Sequence, residues 1–315
     1  MCAPETTACL YILSEYPVGI AKNREAPLSQ GYICSALNSG DANYLQMAYC
    51  LAISLKLTQS TVSRLSVVVD RAADVPAVYR QVFDHVIELP VDHSAPNGWR
   101  VQNYHQLYVL SPYDETVTLD ADMLFFKDVS KWWDVMRRKE IVAATRVLDY
   151  RGNLVTHNPY RENFYRCGLP DVHNGFLFFR KSPLTERLFQ TMREFTLEWE
   201  TACTRYFGQP EIYSGDASLA LALRHLQLEE VCQTHDTGGI PVFIHMKTGM
   251  QGWSGAVDGD WRKYASIEWS DRLDLKIEGY DIRFPLHYHL RDFLSPELLL
   301  RYEEALQHQL RCPAP

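Results

Sequence analysis

A chain of 315 residues with 46% hydrophobic and 22% charged residues is long enough for one large α/β domain or two small ones. Its net charge of −8 argues against a general polyanion binder, so nucleic acid is not indicated as a partner. Its eight cysteines form no CxxC pair and several sit in apolar runs, which favours free thiols in a reducing compartment over a zinc site or disulfide framework.

In chain order, residues 1–30 carry prolines at 4, 17 and 27 and read as an irregular N-terminal arm. A strand is predicted at 31–37, and the turn residues that follow open a helix over 41–57, with Tyr44, Ala48, Leu51 and Leu55 at helical spacing. The run at 65–70 is apolar almost throughout, as a strand covered on both faces is. A short helical piece at 75–83, a strand at 85–89 and a helix at about 102–110 lead to the strand that ends in Asp120. Alternating strands and helices predict a parallel sheet with right-handed crossovers. Ligands bind beyond the carboxyl ends of such strands, where Asn38, Asp70 and the Asp120/Asp122 pair would converge.

The second half reads as α+β. It has a helix at 131–138, a strand at 141–145, a long loop at 146–172 rich in aromatics and arginines, and a strand at 176–179. Ser182-Pro183 opens a helix to about Trp199, and Ser214-Gly215-Asp216 opens another through Leu226. A late strand at 241–245 ends in His245, residues 246–285 read as loops, and Ser295-Pro296 caps a final helix to about Leu310. No apolar stretch is long enough to span a bilayer and no basic region precedes an apolar core at the N-terminus, so a cytoplasmic location is expected.

The most informative stretch is 115–126. An apolar, β-branched run ends in Asp120-Ala121-Asp122, and a second apolar run, 123–126, follows at once. Burying carboxylates is costly unless they are paired or ligated. A divalent cation relieves both the burial and the mutual repulsion. Asp-x-Asp at a strand end therefore reads as half of a Mg²⁺ or Mn²⁺ site for a pyrophosphate, the alternative being a solvated surface turn.

The run Ser111-Pro-Tyr-Asp-Glu-Thr-Val-Thr-Leu-Asp-Ala-Asp122 resembles the metal-site segment of nucleotide-sugar glycosyltransferases of the GT-A fold, most closely the retaining, glycogenin-like group (glycosyltransferase family 8 and relatives). Four further features agree in order. The strand, turn and helix at 31–57 look like that family's first βα unit, and Val67-Val-Val-Asp70 looks like its second strand. Asn174-Gly175-Phe-Leu-Phe-Phe179 looks like its Asn-(Ser/Ala)-Gly strand, and His245 with Trp253 resembles its His-x-x-Gly-x-x-Lys-Pro-Trp motif. Together these cover residues 31–253. Three departures stand out: Gly249 comes one residue late, Gln251 and Gly252 replace the family's Lys-Pro, and Asp216-Ala217 replaces its Asp-Gln pair.

The resemblance implies a Rossmann-like single α/β domain, a mostly parallel sheet flanked by helices. It divides into a nucleotide-binding half at 31–127, an acceptor and metal-completing half at 128–292, and a C-terminal helix at 293–315. It implies that Asp120, Asp122 and His245 ligate one Mn²⁺ or Mg²⁺, with His289 in Leu286-His-Tyr-His289 as the rival third ligand. Histidines at i and i+2 share one face of a strand, so a separate small metal site there stays open. Ala36, Asn38, Tyr44 and Asp70 are candidates for the nucleotide pocket, with Ala121, Gly175 and Gly249 beside it. Arg100 is a candidate phosphate or sugar contact, and Lys247 a stand-in for the family lysine. Asn174 and Asp216 are candidates at the reacting sugar. The expected activity is metal-dependent transfer of a sugar, UDP-linked before GDP-linked, with retention, to a glycan, lipid-linked sugar, protein or modified DNA base. A sugar-phosphate nucleotidyltransferase and a non-catalytic nucleotide-sugar binder are the alternatives; the turn after the first strand lacks the basic residues the former would need.

Overall fold

The computed structural model describes residues 29–40, 42–94, 100–156, 158–209, 212–231, 235–247 and 259–312. The arm expected at 1–30 lies outside them apart from Ser29 and Gln30, and Gln30 is already strand. The chain runs β1 (Gln30–Ser35), α1 (Tyr44–Thr58), β2 (Leu65–Val69), α2 (Ala77–Arg80), β3 (Val86–Glu88), α3 (Leu107–Leu110) and β4 (Glu115–Asp120). It continues through β5 (Met123–Leu124), α4 (Trp132–Met136), β6 (Ile141–Ala144), β7 (Val147–Leu148), α5 (Glu162–Cys167), β8 (His173–Arg180), α6 (Pro183–Leu197), α7 (Trp199–Phe207) and α8 (Gly215–His225). It closes with β9 (Phe243–His245), β10 (Ile267–Trp269), β11 (Leu275–Ile277), β12 (Tyr280–Asp281), β13 (Leu286–His287) and α9 (Pro296–Arg311).

The central sheet has the order β3-β2-β1-β4-β8-β6. All neighbours within β3-β2-β1-β4 are parallel, and β8 runs antiparallel between β4 and β6. This is the expected α/β architecture with a mostly parallel sheet flanked by helices. The apolar runs follow from burial on both faces. Tyr32 and Cys34, Val67 and Val69, Val117 and Leu119, and Phe176 and Phe178 enter the core shared with α1 and α9. Their alternates Leu177 and Phe179, with Ile141 and Ala143, meet α6, α7 and α8. Ile33 and Val68 meet Tyr104 and Leu107. At the β4–β8 register, Glu115 is buried and Arg180 Nη2 donates to its Oε1 at 2.7 Å, which compensates that buried carboxylate.

The serine caps act as the sequence predicts. Ser182 forms a capping box with Thr185, and Ser214 and Ser295 accept from Ala217 N and Leu298 N. Several boundaries differ. Asn43, not the predicted residue 41, caps α1 by accepting from Gln46 N at 3.0 Å, and Asp41 is outside the described residues. The helix expected at 102–110 is a 3₁₀ stretch (Arg100–Gln106) before the single turn of α3. The loop expected at 146–172 contains β7 and α5. The long helix from Ser182 breaks at Glu198, whose φ of −110° and ψ of 32° leave the helical region, so α7 is a separate helix that sequence periodicity missed. Within the stretch read as loops, β10, β11 and β12 form an antiparallel meander. Strands of two or three residues carry too few side chains for an alternation to register.

Candidate functional site

The strand order reverses at β1: β2 and β3 build outward on one side and β4 begins the other. Open α/β sheets bind ligands in the crevice at such a switch point, beyond the carboxyl ends of the strands. A cavity of about 800 Å³ lies there, with Ser35 at the end of β1 and Asp120 at the end of β4 in its lining.

A second, four-stranded sheet, β5-β13-β9-β7, completes the site. β5 starts directly after Asp122 and pairs antiparallel with β13, which pairs in parallel with β9. The register sets His287 opposite both Met123 and His245. His287 Nε2 therefore lies 3.0 Å from Asp122 Oδ1 and 3.7 Å from Asp120 Oδ2. Tyr104 donates its hydroxyl proton to Asp120 Oδ1. Burial raises the Asp120 carboxyl above its ordinary range, with Asp122 adding to the rise and His287 opposing it. Burial works the same way on Asp122, but the charge and hydrogen bond of His287 outweigh it and hold that carboxyl low. Gly175 leaves the space Asp120 occupies: a Cβ there would stand 2.3 Å from Asp120 Oδ2.

Asp120, Asp122 and His287 can each offer one ligand atom with all three within 4.8 Å of one another. This set of two carboxylates and one imidazole suits Mn²⁺ or Mg²⁺. His245, the third ligand expected from the sequence, and its rival His289 form a second group with His287. The sequence flags His287 only as part of a possible separate site with His289; its place beside the carboxylates depends on a pairing with a strand more than a hundred and fifty residues earlier.

Asn174 and Asp216 come together from β8 and the first turn of α8. Asn174 N donates to Asp216 Oδ1 at 2.8 Å, and Arg161 Nη2 donates to Asp216 Oδ2 at 2.5 Å. Arg161 is buried and also meets His173 Nδ1. It comes from the arginine-rich loop expected at 146–172, but no local signal assigns it to Asp216, 55 residues on. The Lys247 ammonium lies 3.8 Å from the centroid of the Tyr160 ring. Burial pulls its pKa below the ordinary value, and the charge of Asp216 pulls the other way.

The cavity lining holds some of the residues expected at the nucleotide and at the reacting sugar. Tyr44, Arg100, Ala121, Gly175, Asn174, Asp216 and Lys247 line the cavity. Ala36 and Asn38 do not; Ser35, Leu37 and Ser39, the residues between and beside them, do. Ala36 is buried with its N–H on Val68 O, and Asn38 Oδ1 accepts from Leu45 N. Asp70 is also outside the lining and pairs with Arg100, which pairs in turn with Asp92. Gly249 lies outside the described residues, as do Gln251, Gly252 and Trp253.

No protein-family model matches the chain, and no curated protein does. Solved structures similar to it include the apo form of mouse xyloside xylosyltransferase 1, at 12% identity and a TM-score of 0.47 over 83% of this chain and 98% of that one. The apo bifunctional glycosyltransferase WbbM matches at 11% and 0.46 over 91% and 51%. The galactosyltransferase LgtC, solved with donor and acceptor sugar analogues, matches at 12% and 0.45 over 88% and 95%.

Proposed function

We propose that the chain is a metal-dependent GT-A glycosyltransferase that moves a sugar from a nucleotide-sugar donor, UDP-linked before GDP-linked, to an acceptor hydroxyl with retention. The observation that carries this reading is the partly buried pair Asp120/Asp122 facing the buried His287 at the switch point of the sheet. Such a pair is costly without a cation to neutralise it, and the cavity beside it is large enough for a sugar nucleotide.

Asp120, Asp122 and His287 would hold Mn²⁺ or Mg²⁺, with His245 the ligand the family resemblance implies. The ion supplies Lewis-acid stabilisation of the charge that grows on a departing diphosphate. Lys247 adds a positive charge at the same cavity. Asp216 is fixed by Arg161 and the Asn174 amide, so its carboxylate is positioned to accept from a sugar hydroxyl before the donor arrives. Tyr44 offers a ring face to the base. No side chain need remove the acceptor's proton, because a leaving phosphate can take it; the protein's contribution is to hold donor and acceptor on one face. In this reading residues 31–127 bind the nucleotide and 128–292 complete the site. The acceptor is a glycan, lipid-linked sugar, protein or modified DNA base, and the buried thiols of Cys34, Cys50 and Cys203 favour the cytoplasm. Among the described residues no helix is long and apolar enough to cross a membrane.

The test is release of nucleoside diphosphate from a panel of UDP- and GDP-sugars with Mn²⁺, on wild type, Asp122→Asn and Asp216→Asn. Donor turnover in wild type that both variants lose supports the proposal. Pyrophosphate from a sugar phosphate and UTP would transfer it to the nucleotidyltransferases, and binding without turnover would make the chain a binding protein.

A further inference from the structure

His245, His287 and His289 form a cluster of their own beside the carboxylates. Their ligand atoms lie within 4.8 Å of one another. The His287 and His289 rings stack at a centroid distance of 3.7 Å, and His289 stands edge-on to His245 at 4.4 Å. His289 Nε2 is 3.3 and 3.2 Å from the two ring nitrogens of His245, so imidazoles face imidazoles where carboxylate or carbonyl partners would ordinarily stand. His287 spends Nε2 on Asp122, and its Nδ1 is buried with no hydrogen-bond partner among the described residues. A buried, unpartnered ring nitrogen costs free energy in the folded chain. His289 also holds a left-handed backbone with φ of +60°, a strained conformation for a residue with a Cβ that persists where the surroundings enforce it.

We propose that these three histidines form a second cation site, selective for an imidazole-preferring ion such as Zn²⁺ or Co²⁺, which shares His287 with the Asp120/Asp122 site. The donor sets differ in kind. Carboxylates suit Mg²⁺ and Mn²⁺, whereas three imidazoles suit the later first-row ions. Sharing has a consequence: an ion that draws His287 toward His245 and His289 removes it from the carboxylates, so Zn²⁺ antagonises Mn²⁺ without occupying the same ligand set. This inference stands apart from the sugar-nucleotide reading, because the metal alone is the probe; UDP that failed to bind would sink that reading and leave this one intact.

The experiment is titration of the full chain with Co²⁺, followed by its visible absorption, on wild type, His245→Gln, His289→Gln and Asp120→Asn. Each titration is paired with a thermal melt with and without Zn²⁺. Wild type should bind Co²⁺ stoichiometrically, release it to Zn²⁺, and melt higher with Zn²⁺. Each histidine variant should weaken Co²⁺ by more than about 100-fold, because losing an outer-shell partner alone already costs roughly 10–100-fold. Asp120→Asn should keep the absorption and the Zn²⁺ melting shift. Wild type that binds neither ion overturns the proposal, as do histidine variants that titrate like wild type. Asp120→Asn losing Co²⁺ as fully as they do also overturns it, since a single ion at the carboxylates would then account for all binding. If one histidine variant fails to fold, the other decides.

Discussion

Gly175→Ala tests the carboxylate site without replacing any charged residue. The added Cβ would stand 2.3 Å from Asp120 Oδ2 and 3.0 Å from its Cγ. Ordinary contact begins near 3.4 Å, so the carboxylate must retreat by about 1 Å. It cannot retreat freely, being partly buried and held by Tyr104 and His287. A misplacement of about 1 Å in a reacting constellation costs on the order of 100-fold, and that is the expected loss in donor turnover, with a weaker Mn²⁺ affinity. The strain of one extra carbon in a packed strand should lower stability by about 1–3 kcal/mol, leaving a folded protein to assay. The assay pairs calorimetric Mn²⁺ titration with a thermal melt. Gly259→Ala is the control, since among the described residues nothing lies within 4 Å of the Cβ it would add, and it should change neither. Gly175→Ala that stays folded and binds Mn²⁺ as wild type does would refute the placement of the ion at Asp120.

Three further outcomes follow from the same geometry. Tyr104→Phe removes the donor that orients Asp120 while keeping the ring, and should weaken Mn²⁺ by roughly 10-fold or more, as losses of outer-shell partners do; calorimetry reads it. Arg161→Ala removes the guanidinium from the partly buried Asp216, which keeps the Asn174 amide, and should cost about 1–3 kcal/mol in denaturant unfolding, the usual cost of losing one hydrogen-bond partner of a charged group. Arg161→Lys should recover little of this, because one ammonium cannot bridge Asp216 and His173 as the guanidinium does. His105 is buried, and burial first, then the charge of His93, lowers its pKa to about 4. The unfolded chain binds a proton there near pH 6.5 and the folded chain does not, so stability should fall as pH drops from about 6.5 to 4. The loss is on the order of 2–3 kcal/mol, and His105→Gln should flatten that acid limb in melts across pH.

The sequence exposed what is locally encoded. Strands buried on both faces read as apolar runs at 65–69 and 115–119, the caps Ser182, Ser214 and Ser295 stand one residue before their helices, and the carboxylate pair interrupts two apolar segments. What it hid depends on pairing between distant residues. β5, β7, β9 and β13 have two or three residues each, and they become a sheet only when brought together from 123, 147, 243 and 286. That sheet decides which histidine reaches the carboxylates, so His287 was visible as a residue but not as the partner of Asp122. Arg161 was hidden in the same way, its link to Asp216 existing only across the fold. Of the nucleotide candidates after β1, Ala36 is buried in the core and Asn38 is exposed with its side chain accepting from Leu45 N, while Ser35, Leu37 and Ser39 line the cavity.

The central claim is that Asp120 and Asp122 hold a cation that in turn holds a nucleoside diphosphate. Calorimetric titration of UDP, with and without Mn²⁺, on wild type and Asp122→Asn tests it most directly. UDP binding that requires Mn²⁺ and disappears in Asp122→Asn is the predicted result. Binding indifferent to both the ion and the substitution would contradict the account.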